Sequence, residues 1–173
     1  MNLWWKIKNL RYRLRGVKQE IYRLVDVNLQ SQYSIRVIKA DGRIIDYGVV
    51  SRQVITTIGA DYLSDCCTGS GEPENINYHQ YGTGTTPAAI GDTGLQTATG
   101  SRSAGTQSNP SSRVYRSVAT IAFTSTLAIT EHGIFWASSG ASTIFDHHVF
   151  SAINVVNGDS IEGTYELTFA DGG

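Results

Sequence analysis

The chain is short of charge, of cysteine and of long apolar runs, and each scarcity closes off a class of protein. Charged residues are 17% of its 173 positions and hydrophobic ones 40%. That excludes the charge-rich, apolar-poor composition of a disordered chain. The length suits one domain of ordinary size. No stretch reaches the roughly 18 apolar residues of a membrane-spanning helix, so no membrane span is expected. Lys6, Lys8, Arg11, Arg13 and Arg15 break up the N-terminus, which therefore lacks the apolar core of a signal peptide. Cysteine occurs only as the adjacent Cys66 and Cys67. Adjacent cysteines bridge poorly, so both are expected reduced and buried, in keeping with assembly in a cytoplasm.

Lysine is absent after Lys39, and this decides how the glycine-rich stretch YHQYGTGTTPAAIGDTG, Tyr78 to Gly94, is read. A phosphate-binding loop ends in Gly-Lys-Ser/Thr, with the lysine reaching the phosphates. A dinucleotide fingerprint must open a helix, whereas Thr86 and Pro87 follow Gly82 and Gly84 here. These glycines are expected instead at positive-φ turns or where the backbone passes close to a neighbour. No Gly-x-Ser-x-Gly elbow is present, and no basic residue near Cys66 or Cys67 activates a thiol. The sequence reads as non-enzymatic, with no cofactor.

What is abundant points to strands and turns: 18 Gly and 9 Tyr, with many Thr, Ser, Val and Ile. Charge is also divided along the chain. Residues 1–25 carry seven Lys/Arg against one acid, a net +6, and the remainder seven against fourteen, a net −7. A basic arm on an acidic body is a binding arrangement.

The arm, residues 1–26, predicts an amphipathic helix. Leu3, Ile7, Leu10, Leu14, Val17, Ile21 and Leu24 alternate spacings of four and three, an apolar heptad seam. Trp4, Trp5, Arg11, Arg13, Arg15 and Lys18 flank it, and together these residues form the expected assembly interface. A parallel homodimer is disfavoured, because Lys6 would face Arg11 and Arg13 would face Lys18. The seam instead suits an acidic partner or the chain's own body. A full apolar seam within the basic residues also argues against nucleic acid as partner.

Residues 33–173 predict a β-rich domain, a single sandwich or barrel with one short internal helix. Asp41-Gly42 and Asn157-Gly158 mark hairpin turns. SRQVITTIGADYLSDCC shifts to helical period, giving a helix over 52–66 with Ser51 as N-cap. Residues 83–112 read as a Gly/Ser/Thr-rich loop with few apolar anchors, expected to order on assembly. In SIEGTYELTFA, Ile161, Gly163, Tyr165, Leu167 and Phe169 face one way. The expected core is Ile121, Phe123, Ile134, Trp136, Phe150, Ile153, Tyr165, Leu167 and Phe169. Tyr78, Tyr81, Tyr115 and Trp136 could stack on a glycan, but strand-face packing is the simpler reading. His79, His132, His147 and His148 lie among strands near Glu131 and Asp146. Consecutive His147 and His148 must point to opposite faces, while Asp146 and His148 share one. They are expected at the surface or hydrogen-bonded, with no metal.

From Ile55 to Gly173 the chain resembles small β-rich virion structural proteins of tailed bacteriophages. The resemblance rests on VITTIGADYLSDC, NYHQYGTGTTPAAIGDTGLQT, TEHGIFWA and FDHHVFSAINVVNGDSIEGTYELTFADGG, in matching order and spacing. It departs at IFDHHVF, where His147 takes the place of the arginine more usual in the group. The resemblance implies a virion component assembled in the host cytoplasm, either a head decoration (cement) protein or a neck, tail or tail-fibre part. Its partners would be the major capsid protein or tail and neck proteins. It would act as a homo-oligomer, with a trimer one option. The basic arm and first hairpin lie outside the resemblance.

Overall fold

The computed structural model describes residues 28–52, 54–71 and 76–170. The arm at 1–26, with every residue assigned above to the assembly interface, lies outside them. The described residues form β1 (Asn28–Ile38), β2 (Ile44–Ser51), β3 (Val54–Ile55), α1 (Thr57–Thr68), β4 (Tyr78–Gly82), β5 (Ala98–Ala104), β6 (Thr106–Ser111), β7 (Val114–Ala122), β8 (Leu127–Phe135), β9 (Ile144–Val155) and β10 (Ser160–Ala170). Two five-stranded antiparallel sheets result, ordered β2-β1-β10-β7-β6 and β3-β9-β8-β4-β5. The expectation of a mainly β fold with one short internal helix is met.

Period-two patterning explains the first sheet. On β10, Ile161, Gly163, Tyr165 and Leu167 are buried and alternate with half-exposed polar residues. On the paired β1, Tyr33, Ile35 and Val37 are buried in the same way. These side chains meet Tyr81, Ile129, Ile134, Phe150 and Ile153 of the second sheet in one core. Of the expected core, Phe123, Ile134, Phe150, Ile153, Tyr165 and Leu167 are buried, while Ile121, Trp136 and Phe169 pack at its margin. The opposite face of the first sheet is polar. Arg36 pairs with Glu162 at 2.8 Å, and Arg116 and Gln32 both reach Glu166 at 2.6 Å.

The two sheets share both lateral edges. β2 ends one sheet and β3, two residues on, ends the other; β5 and β6 do the same across Gly105. A Cβ at Gly105 would lie 2.6 Å from Ser117 Oγ and 2.9 Å from His79 Nε2, so only glycine turns this corner. The Asp41-Gly42 and Asn157-Gly158 turns form as expected, with Gly42 at φ +85° and Gly158 at φ +90°. Buried Asp159 joins them by accepting hydrogen bonds from Ala40 N (3.0 Å) and Val156 N (2.9 Å) and pairing with Lys39.

Four expectations need correction. Residues 83–112 are not one loop, because 98–104 and 106–111 are strands β5 and β6. Their sequences, ATGSRSA and TQSNPS, lack apolar alternation because both are mostly exposed lateral strands held by backbone pairing to β4 and β7. Pro110 is tolerated there since β6 is an edge. The helix begins at Thr57, not at residue 52. Thr56 caps it, its Oγ1 accepting from Gly59 N at 3.0 Å, while Ser51 closes β2. Of the two cysteines, Cys67 is exposed and Cys66 only half-buried. Finally, β1 starts at Asn28, ahead of Tyr33.

Candidate functional site

The residues able to do chemistry gather in two places on the second sheet, one on each face. Within the core, register aligns Tyr81, His132 and His148 across β4, β8 and β9, and His79, Ile134 and Asp146 in the next row. His79 Nε2 lies 2.8 Å from Ser117 Oγ, and its Nδ1 lies 3.0 Å from His132 Nε2. Tyr33 stacks flat on His132 with ring centroids 3.7 Å apart, and its hydroxyl meets that of Tyr81 at 2.6 Å. His148 Nδ1 faces Ser51 Oγ at 3.2 Å, and Tyr165 donates to Asp146 at 3.1 Å.

All four histidines are buried, which corrects the surface half of the earlier expectation; the hydrogen-bonded half holds. Burial favours the neutral imidazole. It holds His79 down to about 3, helped by nearby His148, and drives His132 well below the usual range. Burial likewise depresses His148, although Asp146 opposes it. The Tyr33 and Tyr165 hydroxyls are pushed up by burial, Tyr33 also by Tyr81 and Tyr165 also by Asp146. These are packed, neutral groups inside a core. Among the described residues, no three His, Cys, Asp or Glu side chains converge as a metal site.

On the outer face of the same sheet, residues 83–97 are drawn onto Glu131. Its Oε1 accepts from Gly84 N (2.9 Å) and Thr97 N (2.8 Å). Its Oε2 accepts from Gln96 N (3.0 Å) and from His147 Nε2 (3.0 Å). Burial pushes this carboxyl up, but His147 and the three amides outweigh burial and hold it at about 2. A Cβ at Gly82 or Gly84 would collide with the Glu131 carboxylate. The glycine-rich stretch is thus an anion cradle whose anion belongs to the chain itself. Further ties run from Thr130 Oγ1 to Gly84 O (2.7 Å), from Thr57 N to Ile90 O (2.7 Å) and from Ser142 N to Thr93 O (3.1 Å). The segment expected to order on assembly is therefore bonded into the single chain, by polar rather than apolar anchors.

His147 bridges this carboxylate to a second one. Its Nδ1 lies 2.7 Å from Asp92 Oδ2. Sequence reasoning missed Glu131 and Asp92 as partners. The available signal was a glutamate in mid-strand on β8, opposite Gly82 of the paired strand.

Two further features lie on the surface of the described residues. Strand β2 lies at the end of its sheet and exposes Ile44, Ile45, Tyr47 and Val49 by 40 to 53%. A groove between β5 and the β7–β8 turn is lined by hydroxyls, among them Thr99, Ser101, Ser103, Thr120 and Ser125, and by no titratable side chain. Three of the four aromatics considered for glycan stacking are engaged within the fold, and Tyr78 is half-buried on β4. Tyr81 is buried, Trp136 stacks on Tyr62 at 4.5 Å, and Tyr115 donates to Ile76 O. No helix among the described residues is long and apolar enough to cross a membrane.

No family model, no curated protein and no solved structure matches the chain.

Proposed function

We propose that the chain is a non-enzymatic structural protein of a bacteriophage virion, a capsid decoration protein anchored through residues 1–26. The observation that carries the reading is the apolar edge formed by Ile44, Ile45, Tyr47 and Val49 on β2. Asp46 and two bulges interrupt the backbone edge of β2, but a cluster of exposed apolar side chains of this kind marks an interaction surface. A second copy of the chain suits it, because two-fold packing of these side chains against the same patch is self-complementary. Glu131 supports the same reading, since its carboxylate is bonded by three backbone amides and His147 of the chain itself. The basic arm would dock on the acidic surface of the shell.

The heptad seam from Leu3 to Leu24 favours a second reading, a neck, tail or tail-fibre component whose arm joins a bundle. Deletion of residues 1–25 tests the anchor. Attachment to shells should vanish while the β-domain stays folded, and full occupancy by the truncated protein would reject it. Tyr47→Lys with Val49→Lys tests the edge by sedimentation. The pair should leave a folded monomer, and an unchanged oligomer would remove β2 from the interface.

A further inference from the structure

We propose that residues 83–97 form a proton-controlled strap, whose Asp92 end is held down while His147 carries both ring protons and is released when one is lost. The geometry requires the doubly protonated ring. Asp92 Oδ2 sits 2.7 Å from Nδ1 and Glu131 Oε2 sits 3.0 Å from Nε2. Ionised carboxylates only accept, so both ring nitrogens must donate. A neutral imidazole has a single N–H and would turn a lone pair toward one of the two carboxylates.

Which bond breaks follows from how each carboxylate is held. Glu131 is fully buried and accepts three backbone amides besides His147. Leaving would strand an uncompensated buried charge. Asp92 sits on the loop with its side chain 22% exposed, and besides His147 its carboxylate accepts from Ala89 N at 2.8 Å, within the same loop. It can rotate into water. Asp92, Ala89 and Ile90 should therefore lift together, breaking the bond from Thr57 N to Ile90 O, while Gly84, Gln96 and Thr97 stay on Glu131.

The surroundings of His147 favour its charged form. Burial opposes the charge, but the bonds to Glu131 and Asp92 prevail and raise its pKa above the usual histidine value. Through the sheet lie His132 and His148, both held neutral by burial, with Asp146 beside His148. On α1, which packs against β9, Asp61 and Asp65 are exposed, as is Arg52 beside β3. β3 itself places only Val54 opposite His147. Because the folded pKa is raised, the clasp is complete below about pH 6.5 and is lost as pH rises through the folded value.

The test is amide hydrogen exchange on the full chain between pH 6 and pH 9, normalised to intrinsic rates, with the His147 ring titrated by NMR. Protection at Thr57 and across 89–92 should fall about ten-fold or more, the worth of one charge-assisted bond, in step with the ring titration. Gly84 and Thr97 should keep theirs. In Asp92→Asn, a change on an exposed loop, the pH step should disappear. His147→Gln should be open at every pH. Constant normalised protection across the range, a full step retained in Asp92→Asn, or a His147 ring that titrates below the free-histidine value would each overturn the proposal.

Discussion

Acid should unfold this protein through its buried histidines, and the slope can be worked out beforehand. His79, His132 and His148 are fully buried with lowered pKa values; His79, held at about 3, and His132, held well below the usual range, remain neutral in the folded state at pH 5, and His148 is lowered as well. In the unfolded chain each reverts to about 6.5 and is nearly fully protonated at pH 5. Unfolding at pH 5 therefore takes up about two to three protons, so stability falls by about 3–4 kcal/mol per pH unit. The sign is that of a base with a lowered folded pKa: stability is present above 6.5 and lost below it. Above about pH 6.5 His147, whose folded pKa is raised, acts in the opposite sense and releases rather than takes up a proton on unfolding. Against a total stability of about 5–15 kcal/mol, the acid midpoint should lie between about pH 3 and 5. Below about pH 4.5, Glu131, held at about 2 in the fold, steepens the loss further. Urea titrations at half-unit pH intervals, followed by the near-ultraviolet signal of the buried tyrosines, measure this directly. A slope below about 1.4 kcal/mol per unit at pH 5, less than one proton, would show that the histidines are not buried and neutral.

Other substitutions probe single contacts by denaturant unfolding. Tyr165→Ala should cost about 3–5 kcal/mol, since Tyr165 is wholly buried and donates to buried Asp146; a loss under about 1 kcal/mol would mean the β10 faces are reversed. Gly163→Ala should destabilise by about 1–3 kcal/mol or more, because its methyl would press on the paired hydroxyls of Tyr33 and Tyr81; a neutral outcome would contradict that packing. Thr56→Ala should cost about 1–2 kcal/mol, because the hydroxyl both caps α1 and donates to Ile144 O at 2.8 Å; an unchanged midpoint would place the cap elsewhere.

How far the fold was legible depended on where each segment packs. β10 lies mid-sheet with one face on the core, so its alternation in SIEGTYELTFA was plain. Both Gly turns were visible because their chemistry is local. β5 and β6 were hidden because lateral strands pair by backbone and need no apolar face. The helix start was misplaced because Val54 and Ile55, which fit a helical period, pair instead with Asp146 and His147 of β9. Of the candidate site, the opposed directions of His147 and His148 followed from strand geometry. Their partners did not, because Asp92 lies 55 residues from His147 and Glu131 lies 47 from Gly84, and only the folded chain joins them.

The central claim is that this chain is an assembled part of a phage particle, and the most direct measurement is immunogold labelling of purified virions with the labels counted. Dense label over the whole head is the predicted result for a decoration protein present in many symmetric copies. A few labels confined to the neck or tail would support the second reading. Absence of label from intact, surface-accessible particles would contradict the account.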